Sequence, residues 1–104
     1  MEWESVKSCR ASVPHQVVHR TLASETVLLN IETGFYYGMD ETGGRFFEVL
    51  TQAPSVAAAV DTLTEEFDAP EEQIRVDMLR YCSELMEHGL LELQATELKT
   101  RRGS

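Results

Sequence analysis

The chain contains few of the residues on which metal-binding and redox proteins rely. It has two cysteines and three histidines among 104 residues. Cys9 and Cys82 lie too far apart to match a redox pair or a zinc motif, so we expect reduced thiols. None of the histidines, His15, His19 and His88, lies at ligand spacing from another histidine or cysteine. We therefore expect no metal and no cofactor.

Long apolar runs are also missing. No stretch approaches the roughly 20 apolar residues that span a bilayer. The first ten residues have neither the basic leader nor the apolar segment of a signal peptide. These absences predict a cytoplasmic protein with no membrane partner.

Positive charge is scarce. Nine lysines and arginines stand against 18 acidic residues, which gives a formal net charge of −9. A chain this negative repels phosphate backbones, so we expect no nucleic-acid partner. The one basic cluster, formed by Lys99, Arg101 and Arg102, lies in the polar C-terminal tail.

Catalytic patterns are missing as well. Gly43 and Gly44 lack the lysine and the spacing of a phosphate-binding loop. The acidic pairs at 65–66 and 71–72 are typical of solvated helix ends. The sequence therefore predicts no enzymatic activity.

What the chain does contain is a strand pattern followed by a helix pattern. Strands are predicted over 16–22, 26–31 and 35–39, and a turn at 32–34 closes a hairpin because Gly34 can adopt positive φ. Residues 1–14 show no clear period and are predicted to be a flexible arm that contains Trp3. The folded domain is predicted over 15–94 and a flexible tail over 95–104.

Three helices are predicted after the strands. The first begins at an Asp40 cap and runs to about Thr51, and its paired glycines indicate a close approach to the sheet. The second begins at a Ser55 cap. The third has Asp68 as its capping acid and proline in its first turn, and it ends at Gly89. The fold class is therefore α+β: a three-stranded antiparallel meander followed by three α-helices.

The third helix has more apolar surface than a small core requires. Ile74, Met78, Cys82 and Leu85 form one stripe at helical spacing. Leu79 and Met86 lie on one flank of this stripe. Tyr81 lies on the other flank, which Asp77, Glu84 and His88 border. Burial in the core would account for any one of these flanking residues. Taken together, they indicate the wall of a groove.

The third strand supplies the opposite wall of that groove. Phe35, Tyr37 and Met39 share one face, whereas Tyr36 and Gly38 share the other. Gly38 leaves room for another chain to lie close. As the last strand of a meander, this strand is expected to be an edge that can accept an added peptide strand.

Three stretches of the chain resemble a known family: LLNIETGFYYGMDETGGRFFEVL, AAAVDTLTEEF and RVDMLRYCSELMEHGLL. In order and spacing they are similar to the PqqD-like proteins, or RiPP recognition elements. The resemblance implies a winged-helix-like fold and a peptide chaperone that binds the leader of a ribosomally synthesised precursor as an added β-strand. The partner would be a modifying enzyme: a peptidase, a cyclase or a radical enzyme.

The resemblance also implies site residues. The strand wall would comprise Phe35, Tyr36, Tyr37 and Gly38. The helix positions would be Asp77, Leu79, Tyr81, Cys82 and Met86. The hairpin and the short length look more like the discrete proteins of lasso-peptide pathways than like the quinone-cofactor protein itself.

Two alternatives stay open. A winged-helix DNA-binding protein has a similar order of elements, but the third helix offers only Arg75 and Arg80 against five acidic residues. A self-associating scaffold domain would use the same aromatic edge strand.

Overall fold

The computed structural model describes residues 1–95. The helices are α1 (Trp3–Val6), α2 (Glu41–Gln52), α3 (Val56–Phe67) and α4 (Glu71–Glu87). The strands are β1 (Cys9–Ser12), β2 (Val17–Leu22), β3 (Glu25–Asn30), β4 (Tyr36–Met39) and β5 (Glu92–Ala95).

The three predicted strands form one antiparallel sheet in the order β2-β3-β4. Its register places Val27 opposite Gly38 and Leu28 opposite Tyr37. The buried Asn30 shapes the β3–β4 turn, because its side-chain oxygen accepts hydrogen bonds from the backbone N–H groups of Glu32 and Thr33. Gly34 completes the turn at a φ of 77°. The three-stranded meander and the α+β class are therefore confirmed.

The starts of α2 and α3 also agree with the sequence. The Asp40 carboxylate accepts from the N–H of Gly43 at 2.9 Å, and the Ser55 hydroxyl accepts from the N–H of Ala58 at 3.1 Å. Each cap satisfies a backbone donor that the helix itself leaves unpaired.

Asp68 was wrongly predicted to cap the last helix. It ends α3 instead, in the left-handed conformation at a φ of 51°. Pro70 occupies the N-cap position of α4 without a side-chain cap. Aspartate tolerates left-handed backbone, so the same residue type can end one helix or begin the next.

The paired glycines bring α2 against the sheet, as predicted. A Cβ on Gly44 would lie 2.6 Å from the Thr26 hydroxyl oxygen of β3. A side chain there would therefore force the helix away from the strand. The core lies between this sheet and the helices, and its fully buried large side chains are Leu28, Leu50, Val56, Val60, Leu63, Met78, Cys82, Leu85 and Leu90.

The structure corrects the prediction of a flexible arm over 1–14, because this segment contains α1 and β1. Strand β1 pairs with β5, with Cys9 opposite Ala95. The Lys7 carbonyl accepts from the N–H of Ala57 at 2.9 Å, and the Arg75 guanidinium lies 4.5 Å from the centre of the Trp3 ring. These elements are too short to show a period, and their partners in α3, α4 and β5 are distant in the sequence.

The C-terminal boundary shifts by one residue, because Ala95 belongs to β5. The rest of the predicted tail, including Lys99, Arg101 and Arg102, lies outside the described residues. Within residues 1–95, no helix has both the length and the apolar character needed to cross a membrane.

The packing of the N-terminal segment on the domain can be tested by tryptophan fluorescence, because Trp3 is the only tryptophan of the chain. Trp3 packs against the core and under Arg75, so its emission should shift in the same denaturant transition as the far-ultraviolet circular dichroism. A Trp3 signal that stays constant through that transition would show that the segment is a free arm.

Candidate functional site

Strand β4 is an open edge of the sheet in the part of the chain that the structure describes. The N–H of Asn30 donates to the carbonyl of Phe35 at 2.9 Å. Bonded and non-bonded pairs alternate along an antiparallel ladder, so the next bonded pair is Leu28 with Tyr37. The backbone groups of Tyr36 and Gly38 therefore point away from β3. These groups are available to another strand.

One face of β4 supplies apolar rings below this open edge. Met39 is buried in the core, whereas Phe35 and Tyr37 are half-buried, with ring centres 6.4 Å apart. Phe35 also stacks on the His88 ring beyond the end of α4, with centres 4.2 Å apart and planes 10° apart. The stack links the start of β4 to the end of α4.

Helix α4 meets the other end of β4 through Tyr81. The Tyr81 hydroxyl donates to the Gly43 carbonyl at 2.7 Å and contacts the Met39 sulfur. Its ring packs edge-on against Phe46, with centres 6.0 Å apart. Burial raises the pKa of the Tyr81 phenol well above its usual range, so the neutral donor persists at physiological pH.

Glu84 contributes a charge near Tyr37. The pKa of Tyr37 is raised to about 12, mainly by burial and further by a hydrogen bond to Glu84 and the negative charge of this carboxylate. We use the name β4–α4 cleft for the place where β4 and α4 meet, which is formed by the side chains of Phe35, Tyr37, Tyr81, Glu84 and His88. It combines apolar rings with a carboxylate and an imidazole at one rim.

The structure does not bring all the predicted site residues into this cleft. Tyr36 is 62% exposed on the opposite face of β4. Asp77 lies on the Tyr81 side of α4 and accepts hydrogen bonds from Gln73 and Arg80.

The prediction that Cys82 contacts the peptide needs correction. Its side chain is completely buried in the core and offers no surface to a peptide. Its position on the central stripe of α4 directs it inward, between Met78 and Leu85.

Leu79 and Met86 lie on the other flank of α4. At about 100° per residue, this flank is opposite Tyr81 and His88. It is also the flank of Arg75, which packs on Trp3. Leu79 borders a shallow depression on the outer side of α4, which extends as far as Glu84 and is lined by Met1, Leu79, Arg80, Ser83, Glu84 and Glu87. Leu79 therefore lies beside Met1, and the assignment of Leu79 and Met86 to a peptide site stays a prediction.

Glu84 and His88 belong to the cleft although the set of predicted site residues omitted them. Their signal was helical spacing: they lie three and seven residues after Tyr81, on the same flank. A separate cavity of about 720 Å³ lies on the far side of α2 and is lined by residues such as His19, Thr21, Arg45, Phe47 and Glu66. It shares no residue with the cleft.

Comparison with known proteins identifies the family. The model of "Coenzyme PQQ synthesis protein D (PqqD)" matches residues 25–91, from the start of β3 to the residue before β5. The chain therefore belongs to the PqqD family. A comparison with curated protein sequences gives no match.

Two solved structures share the fold. One, described as "TbiB1 in Complex with the TbiA(beta) Leader Peptide", is 27% identical, covers 78% of this chain and 94% of its own, and superposes with a TM-score of 0.73. The other, "Lasso peptide synthetase B1 complexed with the leader peptide", is 19% identical with coverages of 80% and 98% and a TM-score of 0.72. At that identity it supports the winged-helix-like fold alone.

The burial of Cys82 predicts selective thiol labelling. Burial raises the pKa of this thiol to about 12, whereas Cys9 is only half-buried. Because thiolates are the reactive species, a disulfide reagent at about pH 8 should label one thiol in the native protein and two in denaturant. The Cys9→Ser variant should show no fast native labelling. Fast labelling of this variant would mean that Cys82 reaches the surface.

Proposed function

We propose that this protein binds the leader segment of a ribosomally synthesised precursor peptide as a fourth strand beside β4. The observation that carries the proposal is the open β4 edge directly above an apolar cleft formed with α4. An edge strand supplies main-chain hydrogen bonds, and an adjacent cleft supplies pockets for alternate side chains. Both parts are built from residues that the family match covers.

The relatives support the same role. The structure that is 27% identical to this chain is described as a complex with a leader peptide, and this chain spans nearly all of it. The PqqD family match covers β3, β4, α2, α3 and α4. We infer that the bound leader is presented to a modifying enzyme in the cytoplasm, as in a lasso-peptide pathway.

The two walls of the site would contribute differently. The backbone of Tyr36 and Gly38 would bond the peptide main chain whatever its sequence. Peptide side chains opposite Phe35 and Tyr37 would enter the cleft and contact the Tyr81 flank of α4. Main-chain pairing would therefore supply affinity, and the cleft would supply selectivity.

We propose binding without catalysis. Among the described residues, no group of three or more histidine, cysteine or acidic side chains could hold a metal ion. The one cysteine of α4 is a buried thiol with a raised pKa, which is the opposite of an activated nucleophile.

The DNA-binding alternative is less well supported. The basic side chains of α4 are engaged: Arg75 pairs with Glu71, and Arg80 with Asp77. The net charge of −9 adds long-range repulsion of a phosphate backbone.

Phe35→Ala tests the proposal. The probe is a fluorescent synthetic peptide with the leader sequence of a candidate precursor, sought as a short open reading frame near this gene, and binding is measured by anisotropy. The unchanged protein should bind it. Phe35→Ala should weaken binding by about 1–2 kcal/mol, because it removes an apolar contact from the centre of the cleft.

Two variants serve as controls. Phe67→Ala makes the same chemical change at a ring that is 37% exposed outside the cleft, and Met86→Ala truncates a side chain that is 38% exposed on the other flank of α4. Both should bind the peptide nearly as well as the unchanged protein, and thermal melts should establish that all variants are folded. Equal loss in all three variants, or no binding by the unchanged protein, would contradict the proposal.

A further inference from the structure

A small open space lies beside Gly38 on the outer face of β4, which is the side of the sheet away from the cleft. A Cβ built on Gly38 would point to this face and would lie 3.4 Å from Oε2 of Glu25 on the neighbouring strand. The ring of Tyr36 comes within 3.9 Å of the same point, at both its Cε1 and its hydroxyl. A carboxylate and an aromatic ring therefore flank the space that Gly38 leaves empty.

The Glu25 carboxylate is available to a ligand. None of the ion pairs within residues 1–95 involves Glu25. Tyr36 is 62% exposed, so its ring face is also open. A cation would gain from both neighbours, because carboxylates attract it directly and aromatic faces attract it through their quadrupole.

The register of the sheet determines which peptide residue reaches this space. Side chains of directly paired residues lie on the same face of a sheet. The peptide residue that bonds to Gly38 would therefore project to the outer face. Its two neighbours would project into the β4–α4 cleft. The missing side chain at Gly38 would let the outward side chain lie across β4 toward Glu25.

We infer that Gly38, Glu25 and Tyr36 form a subsite for a lysine or arginine of the bound peptide, at the residue that pairs with Gly38. This inference rests on the proposed function. The cleft would select apolar side chains of the peptide. The subsite on the outer face would in addition select a positive charge at one peptide position.

The test uses selected peptides, so it does not depend on a known precursor. A displayed library of random linear peptides of about 12 residues, enough for one strand with flanks, is panned against the full chain. Each position of a selected binder is then replaced by lysine and, separately, by norleucine, which has a similar apolar length without the charge. The readout is the ratio of the two affinities at each position.

One position should favour lysine by about three- to fivefold, the scale of an exposed ion pair, and the preference should shrink in high salt. Glu25→Gln should bring this ratio close to one. Gly38→Ala should also reduce it, because the added methyl occupies the space between the peptide and Glu25. Glu32→Gln, which removes an exposed acid in the β3–β4 turn, should leave the ratio unchanged.

The possible failures are distinguishable. If no peptide is selected, or if the binders are insensitive to Phe35→Ala, the proposed function fails and this inference fails with it. If the binders depend on Phe35 but the lysine-to-norleucine ratio is the same in the unchanged protein and in Glu25→Gln, the subsite alone is disproved.

Discussion

The β4–α4 cleft depends on the hydrogen bond from the Tyr81 hydroxyl to the Gly43 carbonyl. At 2.7 Å it ties the middle of α4 to the first turn of α2, and the same hydroxyl contacts Met39 at the end of β4. Tyr81 therefore joins α4 to β4 and α2 across sequence separations of 42 and 38 residues. Because the phenol is buried and stays neutral, this connection does not change across the physiological pH range.

The close approach of α2 to the sheet is the other constraint on the cleft. Gly44 lies against Thr26 of β3, where no side chain fits. Glycine costs a helix roughly 1 kcal/mol relative to alanine, but here it allows α2 to pack directly on the sheet. With α2 packed on the sheet at Gly44 and α4 bonded through Tyr81, β4 lies against both helices, and its outer edge has no partner strand within residues 1–95. An edge prepared in this way loses little further freedom when a peptide pairs with it.

Much of the fold could be predicted from sequence, because each main element carries its own local signal. The strands have β-branched and aromatic residues around a glycine turn, and α2 and α3 have capping side chains at their first turns. The N-terminal segment has no such signal. Its four-residue helix and four-residue strand depend on contacts with α3, α4 and β5, which no local pattern shows.

The site was less predictable than the fold for a related reason. Helical spacing separated Leu79 and Met86 from Tyr81 but did not reveal which flank faces β4. That choice depends on contacts between distant parts of the chain: Tyr81 bonds the Gly43 carbonyl and contacts Met39 of β4, whereas Arg75 on the opposite flank lies over Trp3. Cys82 does not fit a peptide site, because it lies on the stripe of α4 that faces the core.

The most direct measurement of strand addition is amide hydrogen exchange by nuclear magnetic resonance, with and without the leader peptide. In the free protein, the amides of Tyr37 and Met39 should be protected by β3, whereas those of Tyr36 and Gly38 should exchange rapidly. Saturation with peptide should slow the exchange of Tyr36 and Gly38 specifically. If the peptide binds while these two amides exchange as rapidly as before, the peptide does not add to β4 as a strand.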